Sequence, residues 1–148
     1  MKFISHRGNL YAPDKEMENE PNYILDAIKK DVEVEVDVWT YEENFYLGHE
    51  YPKYEVDLMF LLNPKLWIHA KDIKTLNNLI DKVAHIFFHQ ADDVTLTSSR
   101  YLWTYVGKPL YEKSIAVLPT KAGYSIEELS KCSGVCSDNI IKYKELLE

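Results

Sequence analysis

Cysteine is scarce in this chain of 148 residues: only Cys132 and Cys136 are present. Neither has a His or Cys neighbour at zinc-site spacing, so reduced, structural thiols are expected. Basic charge is also short, with 17 Lys+Arg against 24 Asp+Glu and a formal charge of -7. That balance argues against non-specific binding to nucleic acid or to an anionic membrane, which would want a basic face. No apolar run approaches the roughly 18 residues that a membrane span requires. The opening MKFISHRGN has no apolar stretch long enough for a signal peptide, so the expectation is a mature chain that starts here and stays in the cytoplasm. No internal repeat, low-complexity stretch or Gly/Ser linker divides the sequence, and a single domain over residues 1–148 is expected. What the chain does hold is 46% hydrophobic and 13% aromatic residues, enough for a packed core.

Short β-rich bursts with polar residues at their C-terminal ends recur along the chain. They are KFISH (2–6), VEVEVDV (32–38), FYLGH (45–49), LWIHAK (66–71), HIFFHQ (85–90), VTLTSS (94–99), SIAVL (114–118) and SGVCS (133–137). β-Branched and aromatic enrichment over such lengths, bounded by Gly, Pro, Asn or Asp, predicts strands. Helical spacing of apolar residues predicts helices over Tyr23–Lys30, Thr75–Ala84 and Asp138–Glu148. Ser125 followed by Glu128 predicts a capping box opening a short helix to Lys131. Strands alternating with helices predict an α/β fold with a parallel sheet. Eight of them predict a compact (β/α)8 barrel. That fold takes about 250 residues, so several helices are expected to be shortened or missing. The segments Thr40–Asn44, Ala91–Asp93 and Tyr101–Lys113 are where crossover helices do not fit.

Side-chain alternation along strands directs the chemistry. In residues 32–38, Val32, Val34, Val36 and Val38 share one face, while Glu33, Glu35 and Asp37 share the other. Four valines in register suit the layer between sheet and helices, which sends the acids inward. Isolated carboxylates there are costly unless paired or metal-bound. Trp67, His69 and Lys71 share a face of their strand, and His6, His49, His69 and His89 fall at or near strand C-termini. In a barrel of this kind the C-terminal rim carries the catalytic groups. Other assignments are plainer. Asp92 and Asp93 are expected in a turn, and His85 at a helix C-terminus where the dipole favours it. Tyr101, Trp103 and Tyr105 are expected to cover the barrel where a helix is missing, or to wall the pocket. Ile86 and Phe88 then lie on an outer face that no following helix covers, which points to Tyr101–Lys113 or to a second copy, a homodimer.

The order His6-Arg7-Gly8, Glu18-Asn19-x-Pro21, Glu35-x-Asp37-Val38, Gly48-His49-Glu50 and x-x-Lys71 resembles the glycerophosphodiester phosphodiesterase family, within the superfamily of phosphatidylinositol-specific phospholipase C-like phosphodiesterases. The likeness covers His6 to Lys71; the second half matches only as a strand pattern. The resemblance implies a TIM-type barrel and a metal-dependent phosphodiester hydrolase acting on a glycerophosphodiester-like small substrate. It casts His6 and His49 as the general acid/base pair, Arg7 and Lys71 as phosphate-binding groups, and Glu18, Glu35 and Asp37 as ligands of one divalent cation, Mg, Ca or Mn.

The chain departs from that pattern at three points. His69 stands where the family has a third barrel carboxylate. As a ligand it shifts the preference toward Mn or Zn; otherwise it hydrogen-bonds Asp37 or Glu35. Glu50 replaces the Asp that usually follows the second histidine, and the loops that form the family's glycerol pocket are largely absent. His89, Glu50 and Trp103 are further candidates for touching substrate. The rival expectation is a degenerate, non-catalytic barrel that binds a phosphorylated ligand or partner through the same rim.

Overall fold

The alternating segment at residues 32–38 becomes the organising strand of the fold. In the computed structural model, which describes residues 1–148, it forms most of β2 (Glu33–Tyr41). Its parallel neighbours are β1 (Lys2–His6) and β5 (Leu66–Ala70), and β5 pairs in turn with β6 (His85–Phe88). On the other side β1 pairs with β10 (Gly134–Ser137), then β9 (Ser114–Val117) and β8 (Leu102–Thr104), all parallel. The short β7 (Val94–Leu96) closes this side antiparallel to β8. These eight strands curl into a half-barrel, and the helices are short, taking 24% of the chain.

The expected (β/α)8 TIM-type barrel is therefore replaced by a curled mixed sheet. Two local features explain the difference. Residues 45–49 do not make a parallel strand: β3 (Asn44–Leu47) folds back antiparallel on the C-terminal half of β2, then pairs with β4 (Tyr54–Val56). Glu42 and Glu43, both left-handed at φ 47 and φ 68, form the two-residue turn that reverses the chain. Such a turn twists in the sense that antiparallel strands need, whereas a parallel neighbour requires a much longer crossover. Likewise residues 94–99 hold an antiparallel strand, and Tyr101–Lys113, where no crossover helix was expected, contains β8 rather than a cover for the Ile86–Phe88 face. The edges β6 and β7 share no ladder. They are linked by Thr95 Oγ1 donating to the Phe88 carbonyl (3.0 Å) and by Ser98 bonded to Ile86.

The predicted helices appear with shifted ends. They are α1 (Pro21–Lys29), α3 (Ile73–Leu79), α4 (Ile126–Ser130) and α5 (Ile140–Leu147), with an unforeseen single turn, α2 (Leu58–Leu61). The Ser125–Glu128 capping box opens α4 as its spacing required. Asp72 caps α3 by accepting from the Thr75 amide, which starts that helix earlier than its apolar spacing suggested.

Parity holds through β2. Val34, Val36 and Val38 are fully buried against Ile24 and Ala27 of α1, Leu79 of α3 and Ile140 of α5. Each such side chain contributes about 1.5–3 kcal/mol. Ile86 lies in this same layer with Leu79, so the preceding helix covers it, and the open face that suggested a homodimer shrinks to the half-buried Phe88. A second, inner cluster of Ile4, Trp67, Phe87, Trp103, Ile115, Val117 and Cys136 fills the concave side. His85 belongs to β6 rather than to a helix end: its ring stacks on Trp67 at 4.0 Å and bonds Ser99. Gly134 admits the close β1–β10 pairing, since a Cβ there would lie 2.7 Å from the Lys2 carbonyl oxygen. No helix is long and apolar enough to cross a membrane.

Candidate active site

Parallel register brings the functional side chains together at the C-terminal ends of the strands. His6 stands opposite Glu35 across β1 and β2, and Asp37 opposite His69 across β2 and β5. His6, Glu35 and His69 open onto a cavity of about 460 Å³. His6, Arg7, Glu35, His49, His69, Lys71 and His89 line it on one side, and Trp103, Tyr105, Val117 and Leu118 on another.

Asp37 is the hub. It is wholly buried, yet His69 Nδ1 lies 3.0 Å and Arg7 Nε 2.9 Å from its oxygens, with Lys71 Nζ at 3.8 Å. Asn19, held left-handed at φ 64, clasps it at two points: its amide donates to Oδ2, and its carbonyl accepts from the Asp37 amide, both at 2.9 Å. Burial pushes Asp37 up, but the imidazoles of His49 and His69 and the Arg7 guanidinium override it and hold this carboxyl well below its usual range. Glu35 goes the other way. Burial, then the neighbouring Asp37 charge, raise its pKa above the ordinary value.

His6 is held by a residue that the sequence reading assigned no role. Its Nδ1 lies 2.6 Å from Asp138 Oδ1, and its Nε2 faces Glu35 at 3.9 Å. Burial lowers the His6 pKa, but the Asp138 hydrogen bond and the Glu35 charge outweigh it, so the net direction is upward. Asp138 is itself shifted down: burial opposes this, and the His6 bond prevails. A signal for Asp138 was present, since it directly follows the burst SGVCS as the other rim groups follow theirs. Asn9, buried between Glu18 and Asp138, carried no such signal.

The remaining candidates spread out. Arg7, left-handed at φ 56, donates to Glu18 (3.2 Å), and its Nη2 lies 2.6 Å from His49 Nδ1. The same Nδ1 faces Asp37 Oδ2 at 3.5 Å, so His49 sits between the guanidinium and the buried carboxylate. His49 is 45% exposed. Glu50 lines an adjoining groove with Lys15, Tyr51 and Lys53 rather than the main cavity. Trp103 is floor, stacked on Phe87 at 4.5 Å. His89 stacks on Tyr105 at 3.8 Å, and burial, then the charges of His69 and Lys71, lower its pKa. Asp92 and Asp93 sit in the connection after β6, where Asp93 pairs with Lys108.

Glu35, Asp37 and His69 each offer a ligand atom within 4.8 Å of the others, so three of the four expected metal ligands converge. Glu18 stands outside this group, engaged by Arg7 and Asn9. The donor set of two carboxylates and an imidazole suits a divalent cation. Glu35 Oε2 also fits that use, because it is buried without a hydrogen-bond partner. His89 Nδ1 and the Tyr105 hydroxyl are likewise buried and unpaired at this cavity. Comparison with protein-family models, with curated proteins and with solved structures finds no match for this chain.

Proposed function

We propose that the cavity is the active site of a metal-dependent phosphodiester hydrolase. The observation that carries this reading is the His6–Asp138 pair facing the Glu35/Asp37/His69 group, with Arg7 and Lys71 lining the same cavity. It rests on these side chains and not on the closed barrel that the family resemblance implied. A glycerophosphodiester-like substrate follows from the resemblance alone.

Each residue has a task that its surroundings support. Arg7 offers a planar fork and Lys71 a point charge for the non-bridging phosphate oxygens. His6 gives its Nδ1 proton to the Asp138 bond, which leaves Nε2 as the base that takes a proton from the attacking hydroxyl or water. His49, half exposed at the same cavity, would give a proton to the leaving oxygen. A divalent ion held by Glu35, Asp37 and His69 would supply Lewis-acid polarisation of a phosphoryl oxygen.

The test is hydrolysis of bis(4-nitrophenyl) phosphate by metal-stripped protein, with Mg, Ca, Mn and Zn restored separately and His6→Ala and Glu35→Ala as controls. Metal-dependent turnover lost in both variants supports the reading. Absence of turnover with every metal, together with no metal-induced rise in Tm, overturns it. A binding module for phosphorylated ligands would then take its place.

A further inference from the structure

Asn9 is wholly buried and uses all four hydrogen-bonding positions of its amide. Its Nδ2 donates to Asp138 Oδ1 (2.9 Å) and to Glu18 Oε1 (3.0 Å). Its Oδ1 accepts from the Asp14 backbone amide (3.1 Å) and from the Tyr23 hydroxyl (3.2 Å). Only one orientation of the amide satisfies this set, because a backbone N–H can only donate and the carboxylates of Glu18 and Asp138 accept. The Asp138 oxygen that takes the Asn9 proton is the same one that receives His6 Nδ1 at 2.6 Å. On its other side Glu18 takes Arg7 at 3.2 Å. One buried amide thus ties the histidine–carboxylate pair to the arginine–carboxylate pair. Its anchors, the chain at Asp14 and the Tyr23 of α1, lie outside the site.

We propose that Asn9 is a positioning residue, whose amide fixes the Asp138 carboxylate against His6 and the Glu18 carboxylate against Arg7. The proposal rests on the phosphodiesterase reading for its consequence in catalysis, but its geometric part does not. An aspartate of the same shape cannot replace the amide, since it has no protons to give and would set a third carboxylate beside two others. An alanine leaves both carboxylates short of a donor and free to turn. Because Asn9 touches none of Glu35, Asp37 and His69, its loss leaves metal affinity in place.

Two measurements test this. In wild-type protein the His6 Nδ1 proton, bonded to Asp138, is expected to give a far-downfield resonance in the proton NMR spectrum at fixed pH, which vanishes in His6→Ala and moves upfield in Asp138→Asn, where a neutral amide oxygen accepts it. The expected result is that Asn9→Ala and the isosteric Asn9→Asp shift or broaden this resonance. Well below their Tm they lower kcat on bis(4-nitrophenyl) phosphate by about tenfold to a hundredfold, the scale of loss when catalytic groups are misplaced by about an ångström. The midpoint of metal-induced stabilisation stays where it is in wild type. Should one variant not fold, the other carries the test, since Asn9→Ala buries no added charge and Asn9→Asp keeps the shape of the side chain. An unchanged Nδ1 resonance with kcat within twofold of wild type makes Asn9 a merely structural residue and overturns the proposal. If wild type turns over no diester with any metal, the phosphodiesterase reading falls, and the resonance alone decides whether Asn9 positions the pair.

Discussion

Replacing Asp138 by Asn isolates the charge of the His6–Asp138 pair while keeping its shape. The amide oxygen can still accept from His6 Nδ1 and from Asn9, so packing is preserved. The side chains are 14% and 17% exposed, which leaves little solvent screening of the pair. A hydrogen bond to a charged group contributes about 1.5–3 kcal/mol. For a chain of this length each kcal/mol moves Tm by about 2–4 °C, so the middle of that range corresponds to about 4.5–9 °C. The pH dependence has a fixed sign. The His6 pKa is raised, so its contribution is complete below the unfolded value of 6.5 and is lost as pH rises through the higher folded pKa. The Asp138 pKa is lowered, so its contribution is present above the unfolded value of 3.8 and is lost as pH falls through the lower folded pKa. The gap in stability between wild type and Asp138→Asn is therefore widest between these two unfolded values and narrows as pH rises above 6.5 or falls below 3.8. Thermal or urea unfolding of both proteins across pH 4 to 9 measures it. A gap that is flat with pH, or that widens above neutrality, would refute the ion-pair account of this contact.

Other outcomes follow from the same geometry. Burial and Asp37 disfavour charge on Glu35, so Glu35→Gln raises the Tm of metal-free protein at neutral pH, an advantage that fades as pH falls toward the unfolded carboxyl value; the same variant loses the rise in Tm on adding Mn. With His69 as a ligand, Mn or Zn supports more turnover of bis(4-nitrophenyl) phosphate than Mg or Ca at equal saturation, and the reverse ranking places His69 outside the coordination sphere. Arg7→Lys cannot span Glu18, Asp37 and His49 at once, so it lowers stability by about 1–3 kcal/mol in urea unfolding and raises KM for the diester. Cys136 is fully buried, and burial followed by the Glu35 charge pushes its thiol well up, so Ellman's reagent labels it only after unfolding.

Period-two alternation is a local property, and it was enough to place Val34, Val36 and Val38 in one layer and Glu35 and Asp37 in the other. The Ser125–Glu128 cap and the identity of four helices were local in the same way. So was the placing of His6, His69 and Lys71 at strand ends, since a strand carries its terminal residue to a sheet edge wherever the sheet lies. Pairing partners are not local. Whether residues 45–49 ran parallel or antiparallel depended on the left-handed turn at Glu42–Glu43, and whether Ile86 was open depended on where α3 packed. The contacts of Asp138 with His6 and Asn9 join positions 132 and 129 residues apart. Spacing near either residue carries no trace of them. The inventory of acids, imidazoles and cations was written in the chain; only the curl of the sheet decided which of them meet, because parallel register and the closing of long loops set those distances.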